Sequence, residues 1–282
     1  MGLVIPRLPI GVGFGRKPAR RRTHPASLIV IVGSLLAAQA ALGQAYSPPR
    51  HVETGQPNLE GIWQVMDSSV HFNVEPHAAG FGVPAGQGVI VDPADGFIPY
   101  TPAGLRERED NLANRATRDP YSKCYKPGAP HLLYLPFPFQ IMQSGNVVTI
   151  MSEYIHNTRF IWLHRDSHFG AGAIDLWNGD SFGRFEGDAL VTDVFNFHPD
   201  IWLDRAGNHS GPELHVSERF RLIDADTLEY EATLTDPVNY LQPWTMRMRM
   251  YRHKDPGKRI LEYECHALAE DSLGPPELPV VD

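Results

Sequence analysis

Leu214, Val216, Glu218, Phe220 and Leu222 alternate along one apolar stretch, and Glu218 is its only ionisable member. A carboxylate among large apolar side chains loses hydration. Its pKa then rises, and it becomes a candidate general acid or base unless an arginine or histidine pairs with it. His215 lies three residues earlier, on the opposite face of an ideal strand together with Ser217 and Arg219. For His215 and Glu218 to act together, the strand must bulge or the site must sit at its end. Asp204, two residues after Trp202, is the carboxylate suited to orient the imidazole. Asp204, His215 and Glu218 are therefore the leading catalytic set. The structural alternative is an ion pair between Glu218 and Arg159, Arg247 or Arg249.

Residues around this set suit ligand binding. Arg159 and Arg219 are placed to meet negative charge, and Trp177, Trp202 and His209 supply aromatic surface in the polar, glycine-rich segment 177–219. Two looser groups could hold a metal. His164, Asp166 and His168 alternate as ligands on one strand face do, and His198, Asp200, Asp204 and His209 lie close in sequence. Neither matches H-E-x-x-H or a cysteine-histidine zinc pattern. The reading is no cofactor, with a transition metal at His164 and His168 as the lesser alternative. GFGVPAGQG lacks the lysine of a phosphate-binding loop, and neither a dinucleotide fingerprint nor a Gly-x-Ser-x-Gly elbow occurs. Any chemistry is then cofactor-free acid–base work of the lyase, isomerase, hydratase or hydrolase type.

The elements that must position these residues lie after an N-terminal targeting segment. Arg16, Lys17, Arg20, Arg21 and Arg22 precede the apolar run 26–41, and Gly43-Gln44-Ala45 is a small-x-small cleavage site. Residues 1–45 read as a removed signal peptide, which puts the mature chain in the periplasm or outside the cell. The alternative is an uncleaved anchor. The first 45 residues hold six of the 25 basic residues and none of the 33 acidic ones, so their removal takes the formal charge from −8 to −14. Such an acidic chain has no footprint for nucleic acid, and no stable membrane insertion is expected after cleavage. Cys124 and Cys265 form an even pair, which in an oxidising compartment points to a disulfide. Two separate buried thiols are the alternative.

Residues 46–135 read as a loop-rich segment with the first strands and one helix, 105–118, whose Leu105 and Leu112 share a face. Residues 136–282 read as an antiparallel meander completing one domain, with strands near 140–143, 147–154, 159–163, 189–195, 214–223, 228–234, 244–251 and 260–265. Leu228, Tyr230, Ala232 and Leu234 alternate with polar residues, as do Trp244, Met246, Met248 and Met250. Strict period two marks half-buried antiparallel sheet. The expected fold is all-β: an up-and-down barrel, which leaves no exposed edge, with a β-sandwich as runner-up. Gly61-Ile62-Trp63 resembles the start of lipocalin-like (calycin) barrels. With the later Arg247 and Arg249, that resemblance implies an internal cavity.

Longer stretches carry a second resemblance: GFIPYTPAGLRERED, ANRATRDPYSKCYKPGAP, PFPFQIMQS, WNGDSFGRFEGDALVTDVFNF, WLDRAGN, LHVSERF, LEYEATLTDP, PWTM and LEYEC. Through them the mature chain, from about Gly96 to Cys265, resembles a large group of uncharacterised exported bacterial proteins. The group usually has tryptophan where this chain has Phe185. It sets a histidine and serine ahead of the Leu-His pair one residue out of register with His209-Ser210. The resemblance implies export and brings no activity, substrate or cofactor.

Three readings follow. The first is an acid–base enzyme on a small organic molecule, which needs Glu218 and His215 to converge in a cavity. The second is a lipocalin-like binder of an apolar or aromatic ligand, which needs an apolar hollow. The third is an envelope interaction or structural protein, which a filled barrel favours.

Overall fold

The computed structural model describes residues 46–80, 83–164, 168 and 174–266. The predicted signal peptide lies outside the described residues, and a compact unit begins at Tyr46. Ten strands form one sheet: β1 (Gly61–Val65), β2 (Ile90–Asp92), β3 (Phe139–Gln143), β4 (Val147–Ser152), β5 (Thr158–Trp162), β6 (Asp180–Glu186), β7 (Ala189–Phe195), β8 (His215–Leu222), β9 (Thr227–Thr235) and β10 (Trp244–Arg252). From β3 to β10 the neighbours follow chain order. β1 pairs with both β3 and β10, closing a nine-stranded barrel, and β2 adds to β10 as an extra strand.

All neighbours in the ring are antiparallel except β5 and β6, which meet in parallel through Ile161↔Ser181 and Trp162↔Phe182. The strand count requires this. Directions cannot alternate all the way round an odd ring, so a closed nine-stranded barrel needs a parallel pair. A parallel neighbour also needs a long crossover, and the connection 163–179 provides it. The barrel is thus mixed, where the alternating pattern had suggested an antiparallel meander throughout. The expected strand at 260–265 does not form. That segment makes a single parallel bridge, Tyr154↔Tyr263, and Cys265 is bonded to Cys124 with Cα atoms 5.5 Å apart.

Alternation places the core as expected. Leu228, Tyr230, Ala232 and Leu234 of β9 point inward with Trp244, Met246, Met248 and Met250 of β10, and all are buried. Cross-strand register keeps them level, for example Ala232 opposite both Glu218 and Met246. Trp63, Phe139, Phe220 and Tyr230 complete a lumen filled by bulky side chains. The internal cavity implied by the lipocalin-like start is therefore corrected to a packed interior. At that start, Trp63 donates through Nε1 to the Leu59 carbonyl at 3.0 Å, and Arg252 lies 4.1 Å over its ring. The late-strand arginine that meets Trp63 is Arg252. Gly61 makes the contact possible, since a Cβ there would stand 2.3 Å from Arg252 Nη1.

Loops 66–80, 119–135, 197–214 and 236–241 pack against this core through Val70, Val74, Leu132, Leu133, Ile201, Leu203 and Tyr240. The expected helix appears as α1 (Pro102–Ala113) and α2 (Arg115–Arg118), divided at Asn114. Thr101 caps α1 by accepting from the Gly104 N–H at 3.1 Å, and Pro102 occupies the first turn. The buried residues of α1 are Gly104 and Asn111, while Leu105 and Leu112 are exposed. A Cβ on Gly104 would lie 2.7 Å from the Asn239 carbonyl, so the helix docks through its glycine. This corrects the leucine face.

Candidate functional site

Inside the barrel, Glu218 on β8 meets Arg159 on β5. The guanidinium donates from Nη1 to Oε1 at 2.9 Å and from Nη2 to Oε2 at 2.5 Å. Tyr230 donates to Oε1 at 2.8 Å, and Thr192 donates to Oε2. Arg159 also donates through Nε to Ser181 at 3.0 Å. Burial alone would lower the arginine's pKa, but the Glu218 charge and its hydrogen bonds outweigh that and hold it raised. Both carboxylate oxygens are engaged twice over, and both partners are sealed from solvent. Glu218 therefore stands as the structural ion pair.

His215 faces outward. Its Nε2 lies 2.9 Å from Asp193 Oδ1 and its ring stacks on Phe195 at 4.1 Å. Asp204 is buried in the 202–209 loop, where Oδ1 accepts from the Ala206 and Asn208 N–H groups and Oδ2 from Val74 N–H and Asn208 Nδ2. Burial pushes its pKa up to about 7 against the pull of these donors. The structure thus separates Asp204, His215 and Glu218 into three environments with no shared partner. No strand bulge brings the imidazole round: β8 keeps regular register with β7 and β9 across these positions.

The anticipated ligand-binding residues divide: Arg159 and Trp177 line one cleft, Trp202 and His209 line another, and Arg219 stands apart from both. Arg219 lies on the outer face among Arg221, Glu229, Glu231 and Arg247. Trp177 stacks on His198 at 4.2 Å and lines a cleft of about 410 Å³ beside the β5–β6 seam, with Phe160 and Trp162. Trp202 and His209 form a backbone bridge, and His209 Nε2 lies 3.0 Å from the Gly104 carbonyl. His164 contacts the Gly145 carbonyl, whereas His168 stacks on Phe182 at 3.9 Å and lies 3.5 Å from Asp180. Those two histidines thus have different partners, and Asp166 lies outside the described residues. The His198 group does not assemble either, because Asp204 and His209 are engaged elsewhere. Among the described residues, the metal-type cluster is the exposed group His156, Glu262 and Glu264.

A different place gathers charge. A cleft of about 540 Å³ opens between residues 72–80 with Val83, the α1–α2 region and the 205–206 loop. Arg108, Arg115, Arg205 and His77 line it together with apolar Phe72 and Leu112, and no carboxylate is among its described lining residues. Glu75 and Asp119 stand behind, the first 3.3 Å from Arg108 and the second 3.0 Å from Arg205. Arg205 also donates to Ser122 and lies over the Tyr121 ring.

Directly behind the wall that carries Phe72 and Arg205 sits a buried histidine pair. His131 Nδ1 is 3.0 Å from the Trp202 carbonyl, and His131 Nε2 is 2.9 Å from His71 Nδ1. A carbonyl only accepts, so His131 Nδ1 carries its proton, and His71 Nδ1 donates to the bare Nε2. Burial, the neighbouring His131 and Arg205 lower the His71 pKa to about 2. Burial likewise lowers His131 to about 4. Both rings are neutral near pH 7.

Sequence reasoning missed the cleft. Arg108, Leu112 and Arg115 are spaced four and three residues apart, as on one helical face, and this was its one local signal. His71, His77 and Arg205 come from distant loops. No protein-family model matches the chain, and no match to it is found among curated proteins.

Proposed function

We propose that this is an exported small-molecule-binding β-barrel protein whose ligand, a small organic anion with an apolar body, sits in the arginine-lined cleft outside the barrel. We further propose that it belongs to the group of exported bacterial proteins it resembles. One observation carries the binding reading: in a chain of strong net negative charge, Arg108, Arg115 and Arg205 share a cleft with no described carboxylate on its walls. Guanidinium groups suit carboxylates because their forked donors match both oxygens. Phe72 and Leu112 offer apolar surface for the rest of the ligand. The disulfide fits an oxidising compartment, and no helix among the described residues is long and apolar enough to cross a membrane.

The acid–base enzyme is the weaker reading, because Asp204, His215 and Glu218 do not converge. The filled lumen by itself favours a structural protein. The cleft moves the balance back to binding. Calorimetric titration with benzoate, phenylacetate and octanoate, each beside its neutral amide, tests this. The acids are expected to bind and the amides to bind at least tenfold more weakly, with Arg108→Leu costing the acids roughly 1.5–3 kcal/mol as a charge-assisted bond is lost. Equal affinity for acids and amides, or no binding by any acid, removes the proposal.

A further inference from the structure

A smaller cleft, of about 150 Å³, shares no described lining residue with the arginine-lined one. Trp202, His209 and Asn111 line it although they are only 7, 3 and 2 % exposed. Each carries one polar atom without a partner among the described residues. The Asn111 amide turns Nδ2 to the Gly207 carbonyl at 3.4 Å, which leaves Oδ1 as an acceptor. His209 Nε2 lies 3.0 Å from the Gly104 carbonyl, which only accepts, so Nε2 carries the proton and Nδ1 of the neutral ring is a bare acceptor. Trp202 Nε1 can only donate. None of these three atoms is among the unpartnered side-chain atoms sealed from solvent. Part of the small surface that each residue keeps therefore belongs to that atom.

Gly207 brings the three together. Its φ is +85°, and a Cβ there would stand 2.8 Å from the Arg108 carbonyl and from the Leu112 nitrogen, so the loop rests directly on α1 beside Asn111. The charged lining residues are two cations, Arg118 and Lys123, and two anions, Glu107 and Asp200. Arg118 is paired with Asp110, and Asp200 lies 3.9 Å from His198. Lys123 and Glu107 have no ion-pair partner among the described residues. The cleft thus offers one uncommitted charge of each sign, a donor and two acceptors. An anion alone leaves the acceptors and Glu107 unmatched, and a cation alone leaves Trp202 and Lys123 unmatched.

We infer that this cleft binds a small zwitterion of the α-amino-acid class. The ammonium group donates to Asn111 Oδ1 and His209 Nδ1 and balances Glu107. The carboxylate accepts from Trp202 Nε1 and balances Lys123. The volume is below the roughly 300–1,000 Å³ of drug-sized sites, so the side chain is small, as in glycine, alanine or serine. The site is separate from the arginine-lined cleft and does not rest on the anion reading.

The test is calorimetric titration of the purified protein at about pH 8, where an ordinary imidazole is neutral. Glycine, alanine and serine are each compared with their N-acetyl, amide and N-trimethyl forms, and with glycerol. At least one amino acid is expected to bind. Removing either charge, or the N–H donors in the N-trimethyl form, is expected to weaken it about tenfold or more, the scale of one lost charge-assisted bond. Trp202→Phe is expected to cost a similar factor, and Glu107→Gln and Lys123→Gln several-fold each. Thermal melting verifies that each variant folds, and the last two, at exposed positions, decide the matter if Trp202→Phe does not fold. Failure of all three amino acids to bind overturns the inference, as does equal affinity for a form lacking a charge or the N–H donors. Glycerol binding as tightly as the amino acids overturns it in favour of a neutral polyol. Unchanged affinity in every folded variant overturns it as well.

Discussion

Glu218 shows how one residue's role depends on what faces it. A lone carboxylate inside an apolar barrel would be a proton-transfer group. Paired with Arg159 and bonded to Tyr230 and Thr192, it has no free lone pair facing a substrate. Buried pairs of this kind are costly to break because the survivor keeps an uncompensated charge. Glu218→Gln is expected to cost about 3–5 kcal/mol of unfolding free energy. The double variant Arg159→Met/Glu218→Gln should recover at least half of that, since glutamine still accepts from the two hydroxyls. Urea denaturation of both single variants and the double checks this. Strictly additive losses would contradict the pairing, and a loss of acid binding in a folded variant would contradict the separation of this pair from the cleft.

At the scale of elements, the tail after β10 is held by a bond and not by a strand. Tyr263 bridges Tyr154 and stacks on it at 5.5 Å, and Cys265 reaches back 141 residues to Cys124. Closing a loop of that length contributes roughly 5 kcal/mol in the chain-entropy model. Reduction, or a Cys124→Ala/Cys265→Ala pair, is expected to lower stability by up to that amount and to open the tail first. Hydrogen exchange would show residues 253–266 losing protection while β8, β9 and β10 keep theirs. Simultaneous loss across the barrel would show instead that the bond supports the whole sheet. The parallel β5–β6 seam and the interrupted α1–α2 region likewise follow from constraints between elements.

For the whole molecule, acid sensitivity combines opposing groups. His71 and His131 have folded pKa values lowered to about 2 and about 4, so their contributions are complete above the unfolded value near 6.5 and are lost as pH falls below it. Asp204, raised to about 7, acts in the other direction: its contribution is present below the unfolded value of 3.8 and is lost as pH rises through 7. Near pH 5 the unfolded chain binds two histidine protons and the folded chain one on Asp204, a net uptake of about one proton on unfolding. From pH 7 to 4 these three groups should together remove about 3 kcal/mol. His71→Asn is expected to flatten that loss, as read from denaturation midpoints across the range. An unchanged pH slope in the variant would sink this account.

What could be read along the chain was what depends on near neighbours. Period-two alternation in β8, β9 and β10 settles which side chains point inward, because a strand turns its residues to opposite faces whatever it pairs with. Glu218 was singled out by that rule, and Arg159 was among its named partners. The pairing of Cys124 with Cys265 was expected from their number and compartment. Closure decided the rest. A ninth strand forced the parallel seam, Gly104 rather than the leucines met the 236–241 loop, and bulky side chains occupied the lumen. The cleft drew Arg108 and Arg115 from the α1–α2 region, and His77 and Arg205 from loops before and after it. Charges so far apart in sequence become one binding surface only when the folded sheet brings their loops together, and no local pattern encodes that distance.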